Sequence, residues 1–159
     1  MKAAGISDLK KELKAIQPKD LVELCLRLAK YKKDNKELIG FLLFEAHDKP
    51  AFVESLKLEI KENIGLIDKG SNLYYVKKSL RKILRQIVKY CKYLDDKALA
   101  ADLHIYFCLQ LKHSGIPYKK SQLLLNMYEQ ELKKIHMLIH ALHEDLQADY
   151  HNDLEAIEA

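Results

Sequence analysis

Apolar residues recur three and four positions apart along most of the chain, a spacing that predicts amphipathic helices. The clearest case runs from Leu73 to Leu94, where the apolar residues share one side of a helix and the charged residues share the other. The short apolar runs IGLI and IYF fall inside the same helical periodicity, so no segment predicts a strand. The pattern therefore predicts an all-α fold.

Prolines and capping residues divide this pattern into about seven helices. Pro18 suits the first turn of a helix, Asp48 and Asn72 can cap helices, and Gly115 can adopt a left-handed conformation at a helix end. The predicted helices run from Ser7 to before Pro18, over 18–33, over 36–47, from Pro50 to Gly70, from 71 or 72 to 95, from 96 to Gly115, and from Pro117 to about 150.

The short turns predict that successive helices pack as antiparallel hairpins in one domain over residues 1–159. Two arrangements fit: a short α-solenoid of the armadillo or HEAT type, or an irregular helical bundle. The segments AKYKKDNKELIGFLLF and CKYLDDKALAADLHIYF resemble each other. Either they mark tandem three-helix units, 18–68 and 71–150, followed by an acidic tail over 151–159, or they are a chance likeness between amphipathic helices.

Composition supports a globular helical protein: 48% of residues are apolar and 31% charged, with only 5 Gly and 3 Pro. The three cysteines, Cys25, Cys91 and Cys108, stand singly in apolar surroundings, which predicts buried thiols in a reducing compartment. Charges interrupt every apolar run, and the first residues lack the apolar core of a signal peptide. We therefore expect a cytoplasmic protein without a membrane span.

Charge is distributed unevenly along the chain. The net charge is +4, yet residues 144–159 hold six of the 23 acidic residues and no Lys or Arg. Residues 1–143 therefore carry 27 basic and 17 acidic residues. A basic body with an acidic end can bind a polyanion or an acidic protein, and it can also fold its own acidic end onto the basic surface.

The segment 74–93 concentrates the positive charge. At 100° per residue its cationic side chains fall within an arc of roughly 140°, opposite the apolar face. Like charges therefore stand four residues apart with no acid between them, which is unfavourable unless an anion lies between them. We call the cationic side chains of this segment the basic stripe, and Tyr74 lies beside its start. The basic stripe consists of Lys77, Lys78, Arg81, Lys82, Arg85, Lys89 and Lys92.

The basic stripe has three interpretations. It is a solvated or internally paired face, a surface for nucleic-acid phosphates, or a surface for an acidic protein or lipid. Neither an RNA-binding sheet motif nor a zinc-finger spacing supports sequence-specific recognition of nucleic acid. The sequence thus predicts a non-enzymatic binding or scaffold protein whose partner is another protein or its own acidic tail, with a nucleic-acid-binding module as the alternative.

Histidines supply a third hypothesis. His136, His140 and His143 follow one another at helical spacing near the end of the last predicted helix. Two histidines four residues apart on a helix can share a divalent metal ion, although such residues commonly pack at the edge of an apolar face. His104 is expected to be a core or boundary histidine with a satisfied hydrogen bond. We predict no cofactor and no catalytic residue, because no nucleophile elbow or phosphate-binding glycine loop is present.

Overall fold

The computed structural model describes residues 1–159 and contains helices without strands, so the predicted all-α class is confirmed. The packing is between antiparallel helices. The α-helices are α1 (Ile6–Ala15), α2 (Pro18–Tyr31), α3 (Lys33–Gly40), α4 (Lys49–Gly65), α5 (Leu73–Leu94), α6 (Lys97–His113), α7 (Gln122–His140), α8 (Glu144–Asp149) and α9 (His151–Glu158). A π-helical turn, Phe41–Glu45, and two 3₁₀ turns, Ala46–Asp48 and Tyr118–Lys120, complete the order.

The expected caps begin α4 and α5. Asp48 Oδ1 accepts a hydrogen bond from the Ala51 amide at 3.1 Å, and Asn72 Oδ1 accepts one from the Tyr74 amide at 2.9 Å. Each bond satisfies an amide that has no partner inside its helix. The predicted left-handed residue after α6 is also confirmed, since Gly115 has a φ of +78°.

The end of the chain differs from the expected single helix over 117–150. Helix α7 begins only at Gln122, because Tyr118–Lys120 form a 3₁₀ turn first, and it ends at His140. The acidic end then forms α8 and α9. Ile157 is only 1% exposed, so burial of an apolar side chain holds this end in place despite its many charges.

The chain divides into two compact units, Met1–Glu45 and Ala46–Ala159. We call them the N-terminal unit and the C-terminal unit. The boundary between them lies before α4, whereas the tandem-repeat hypothesis places its boundary near residue 70. The repeat therefore stays a prediction, as does the single domain.

The C-terminal unit is built around α6. This helix packs against α4, α5, α7 and α9, and apolar residues occupy most of its circumference. Leu103, Phe107 and Leu111 have no exposed surface. A helix that is apolar all round belongs in the middle of a core, so α6 forms the scaffold on which α5 and α7 are held.

The N-terminal unit is different, because none of the residues of α1, α2 and α3 is buried. Within this unit α2 packs against α3. Cys25 is exposed, so the prediction that it is a buried thiol was wrong, whereas Cys108 is buried and Cys91 lies between these extremes. No helix in the chain is both long enough and apolar enough to cross a membrane.

Candidate binding groove between α5 and α7

Helix α5 holds the basic stripe on the surface by burying the opposite face. Val76, Leu80 and Ile87 on that face are at most 2% exposed. Because side chains at this spacing share one side of a helix, their burial turns the cationic residues outward. Five of the seven stripe residues are exposed, and Lys77 and Lys89 are half-buried.

The members of the stripe do not share one environment. Lys77, Arg81 and Arg85 line a groove between α5 and α7. Lys82 instead lines a depression between α4 and α5. The other members of the stripe are Lys78, Lys89 and Lys92, which lie elsewhere along the helix. Lys89 Nζ stands 5.1 Å from the centre of the Tyr90 ring, and Lys92 lines a second cavity. Neighbouring Tyr74 packs edge-on against Tyr75, with the ring centres 5.5 Å apart.

The groove between α5 and α7 has a volume of about 490 Å³. Since α6 runs antiparallel to both neighbours, α5 and α7 run in the same direction and form the two walls. Apolar side chains line it alongside cationic and amide groups. The lining residues are Lys77, Arg81, Leu84, Arg85, Val88, Leu123, Asn126, Met127, Gln130, Glu131 and Lys134.

Glu131 is the one acidic residue that lines this groove, and its charge is already compensated. The carboxylate is buried, lies 2.6 Å from His104 Nδ1 and accepts a hydrogen bond from Lys134 Nζ at 3.0 Å. Burial acts to raise the pKa of Glu131, but the hydrogen bond and charge of His104, together with Lys134, lower it below its usual value. The charges left for a ligand are therefore the positive ones of Lys77, Arg81 and Arg85.

A second cavity of about 450 Å³ continues the groove towards the end of α5. Val88 and Lys134 line both spaces. The continuation is lined by mixed charges, and its lining residues are Val88, Cys91, Lys92, Asp95, Asp96, Lys97, Ala100, His104, Lys134 and Leu138. From Lys77 to Lys92 the groove follows about 22 Å of α5 at 1.5 Å per residue, the length of a helix of four turns.

The cysteine in this continuation is not an activated nucleophile. Burial raises the pKa of Cys91 to about 11, and the charge of Lys134 only partly opposes that shift. A thiol with a raised pKa is protonated at neutral pH, and the thiolate is the reactive form. Cys108 is buried more deeply and its pKa is also raised by burial. The arrangement suits binding and offers no thiol chemistry.

The acidic end of the chain does not cover the basic stripe. Helix α9 packs against α6, where Lys112 Nζ donates to the Ala156 carbonyl at 2.6 Å and Tyr128 Oη donates to the Ile157 carbonyl at 2.6 Å. Tyr150 Oη donates to Asp102 Oδ1 at 2.8 Å. The tail was considered as an internal partner of the stripe, and the structure corrects this idea, because apolar burial of Ile157 fixes α9 on another helix.

The three histidines were predicted to lie on one helix, and the structure separates the third from the other two. Helix α7 ends at His140, so His143 lies outside it and accepts a hydrogen bond from the Asp145 amide at the start of α8. His136 Nε2 lies 2.5 Å from Glu158 Oε1, and its ring stacks on that of His140 at 6.3 Å. No group of three or more His, Cys, Asp or Glu residues is arranged to hold a metal ion. His104, in contrast, is the buried and hydrogen-bonded histidine that we expected.

The sequence did not identify the wall that α7 contributes. A signal was present, since Glu131 occupies an apolar position of α7 between the buried residues Tyr128 and Ile135. An acidic residue at such a position indicates a buried partner. The partner, His104, lies 27 residues away on α6, and sequence spacing alone does not reveal it.

Fold and groove together define an all-helical protein with a basic, partly apolar cleft between two parallel helices. Searches against protein-family models, curated proteins and solved structures find no match for this chain.

Proposed function

We propose that this protein is a non-enzymatic binding module, and that its α5–α7 groove binds an acidic amphipathic segment of another protein. The observation that carries the proposal is the lining of the groove, in which Lys77, Arg81 and Arg85 stand beside the apolar Leu84, Val88, Leu123 and Met127. An amphipathic helix with acids on its flanks matches both parts of that lining.

The apolar part of the lining favours a protein segment over nucleic acid. A phosphate backbone would pair with Lys77, Arg81 and Arg85, but it would leave Leu84 and Met127 beside a hydrated, charged chain. Proteins that hold single-stranded nucleic acid commonly stack its bases on aromatic side chains. The groove lining includes none, and Tyr74 is not part of it.

Charge adds affinity and selectivity to this contact. The three cations of the groove attract an acidic segment, and they disfavour a basic one by like-charge repulsion. Because Glu131 is held by His104 and Lys134, it does not offset this attraction. We expect the cations to set the rate of association and the apolar contacts to set the lifetime of the complex.

The test is fluorescence anisotropy with a labelled helical peptide of about four turns, carrying Leu at positions i, i+3, i+4 and i+7 and Glu on the flanks. We expect micromolar binding to the wild-type chain. A peptide of the same composition in scrambled order keeps the charge and loses the apolar stripe, so we expect it to bind at least tenfold more weakly.

A matched pair of variants locates the site. Arg81→Glu/Arg85→Glu reverses two charges inside the groove, whereas Lys78→Glu/Lys82→Glu makes the same reversal at the same spacing outside it. We expect the first variant to lose more than about tenfold in affinity and the second to lose less than about threefold. Equal losses would contradict a groove and indicate a general charge effect.

A nucleic-acid probe decides the alternative. Labelled single- and double-stranded RNA and DNA are titrated across a salt series with the same variants. Binding of an oligonucleotide that is tighter than that of the peptide, and that falls by orders of magnitude with salt, would overturn the proposal in favour of a polynucleotide-binding module.

A further inference from the structure

The α5–α7 groove carries two arginines one helical turn apart, and their charges are not used inside the chain. Arg81 and Arg85 both line the groove, and no ion pair or hydrogen bond within the chain engages either guanidinium group. Residues four apart on a helix have Cβ atoms about 6 Å from each other, so the two positive charges repel each other. An anion between the two groups would relieve this repulsion and pair with both.

The opposite wall of the groove presents further hydrogen-bond donors. Asn126 and Gln130 stand one turn apart on α7 and line the same groove. Gln122 Nε2 donates to Asn126 Oδ1 at 2.6 Å, so the oxygen of this amide is engaged and its NH₂ group is left to donate. The Gln130 amide has no partner within the chain. The groove therefore combines two guanidinium groups with amide groups that can donate further hydrogen bonds.

No free carboxylate competes for these donors. Glu131 is the one acidic residue that lines this part of the groove, and its carboxylate is already held by His104 and Lys134. The continuation of the groove is different, because Asp95 and Asp96 line it beside its lysines. A multiply charged anion is therefore more favourable beside the two arginines than at the end of α5.

The chemistry of this donor set matches a phosphate group better than a carboxylate. A carboxylate has two oxygens and one negative charge, so a bidentate pair with one guanidinium group leaves the second group without a partner. A phosphorylated side chain carries a charge of about −1.5 to −2 at pH 7 and has three acceptor oxygens. Its phosphate can therefore accept hydrogen bonds from both arginines and from an amide of α7 at the same time.

We propose that the acidic segment bound by the α5–α7 groove carries a phosphorylated serine or threonine, and that its phosphate lies between Arg81 and Arg85. This inference rests on the proposed function, because the groove must first accept a segment of another protein. Leu84 and Met127 line the groove beside the arginines and contact the apolar stripe of that segment, which a free phosphate ion lacks. Phosphorylation of the partner then controls its binding.

The first test compares three labelled peptides by fluorescence anisotropy. Each is a helical peptide of about four turns with Leu at positions i, i+3, i+4 and i+7 and Glu on the flanks. One central flanking position carries serine, phosphoserine or Glu. We expect the phosphoserine peptide to bind the wild-type chain at least tenfold more tightly than the serine peptide, because it adds charge-assisted hydrogen bonds. The Glu peptide should lie between them.

A matched pair of variants tests the role of the guanidinium groups. Arg81→Lys/Arg85→Lys keeps both charges and removes the forked donors, whereas Lys78→Arg/Lys82→Arg makes the converse change outside the groove. The measured quantity is the ratio of the dissociation constants of the serine and phosphoserine peptides, so a loss common to both peptides cancels. We expect this ratio to fall below about threefold in the first variant and to stay at its wild-type value in the second.

The outcomes separate this inference from the proposed function. Binding of the serine and Glu peptides without a gain for the phosphoserine peptide would overturn the phosphate inference and leave the proposed function standing. A gain that Arg81→Lys/Arg85→Lys leaves unchanged would also overturn it, since the phosphate would then lie elsewhere. An oligonucleotide that displaces the phosphoserine peptide at an equal or lower concentration would assign the two arginines to nucleic-acid phosphates instead. If none of the three peptides binds, both proposals fail.

Discussion

Helices α2 and α5 are both amphipathic, yet they differ in how far their apolar faces are buried. Leu80 of α5 has no exposed surface, whereas Leu26 of α2 is 47% exposed. The pattern of a helix determines which face will be buried if a neighbour is present. It does not determine whether such a neighbour is present, and α5 packs on α6 where α2 leaves Leu26 exposed.

Side-chain caps begin several helices of the C-terminal unit and none of the N-terminal unit, although α7 and α9 of the C-terminal unit also lack them. Asp48, Asn72 and Asp96 each accept a hydrogen bond from an amide at the start of α4, α5 or α6. The residues that precede α1, α2 and α3 make no side-chain cap. Local and tertiary signals thus agree at the start of α4, α5 and α6, and agreement between levels favours a unique fold.

The largest expected difference comes from making the same Leu-to-Ala substitution in α5 and in α2. Leu80→Ala removes a fully buried side chain and should lower the free energy of unfolding by about 3 kcal/mol, because it loses apolar burial and leaves a cavity. Leu26→Ala should change it by less than about 0.5 kcal/mol, because Leu26 is largely exposed. Urea unfolding followed by circular dichroism measures both changes, since both units are helical.

A smaller effect is expected at the buried carboxylate of the C-terminal unit. Glu131→Gln leaves His104 without its charged partner and should lower the free energy of unfolding at pH 7 by about 2 kcal/mol. Urea midpoints of the wild type and the variant give this difference. A variant as stable as the wild type would show that the pair contributes nothing to folding.

The pH dependence of the same pair has a defined sign. The pKa of Glu131 is lower in the folded protein than its ordinary value of 4.5, so its contribution is present above that pH and lost as the pH falls through the folded pKa. The free energy of unfolding of Glu131→Gln should therefore fall less steeply between neutral and acid pH than that of the wild type. Parallel curves for the two proteins would contradict the assignment.

The smallest expected effect on stability comes from substituting the residues that precede α6 and α2. Asp96→Ala removes the bond to the Leu99 amide and should cost about 1 kcal/mol. Gln17→Ala, before α2, should cost almost nothing, because Gln17 makes no side-chain cap. Thermal unfolding followed by circular dichroism compares them, and equal losses would mean that the caps do not distinguish the units.

Much of the fold could be predicted from the sequence because its signals are local. Asp48, Asn72 and Gly115 mark helix boundaries through residues close to them in the chain. The break before Gln122 and the turn after His140 were missed, and so was the burial of Ile157 at the acidic end. Burial that depends on distant residues has no local signature.

The two walls of the candidate groove also differ in how far the sequence predicts them. The cationic wall of α5 could be predicted, since helical periodicity places Lys77, Arg81 and Arg85 together. The opposite wall could not, because α7 reaches α5 only through the packing of both on α6. The exposure of Cys25 was missed for a related reason: an apolar neighbourhood in sequence does not show whether a packing partner exists.

Hydrogen exchange of the full chain tests the contrast between the units most directly. We expect the amides of α6 to be protected far more strongly than those of α2, because α6 is largely buried and α2 has no buried residue. Equal protection of the amides of α2 and α6 would contradict this contrast.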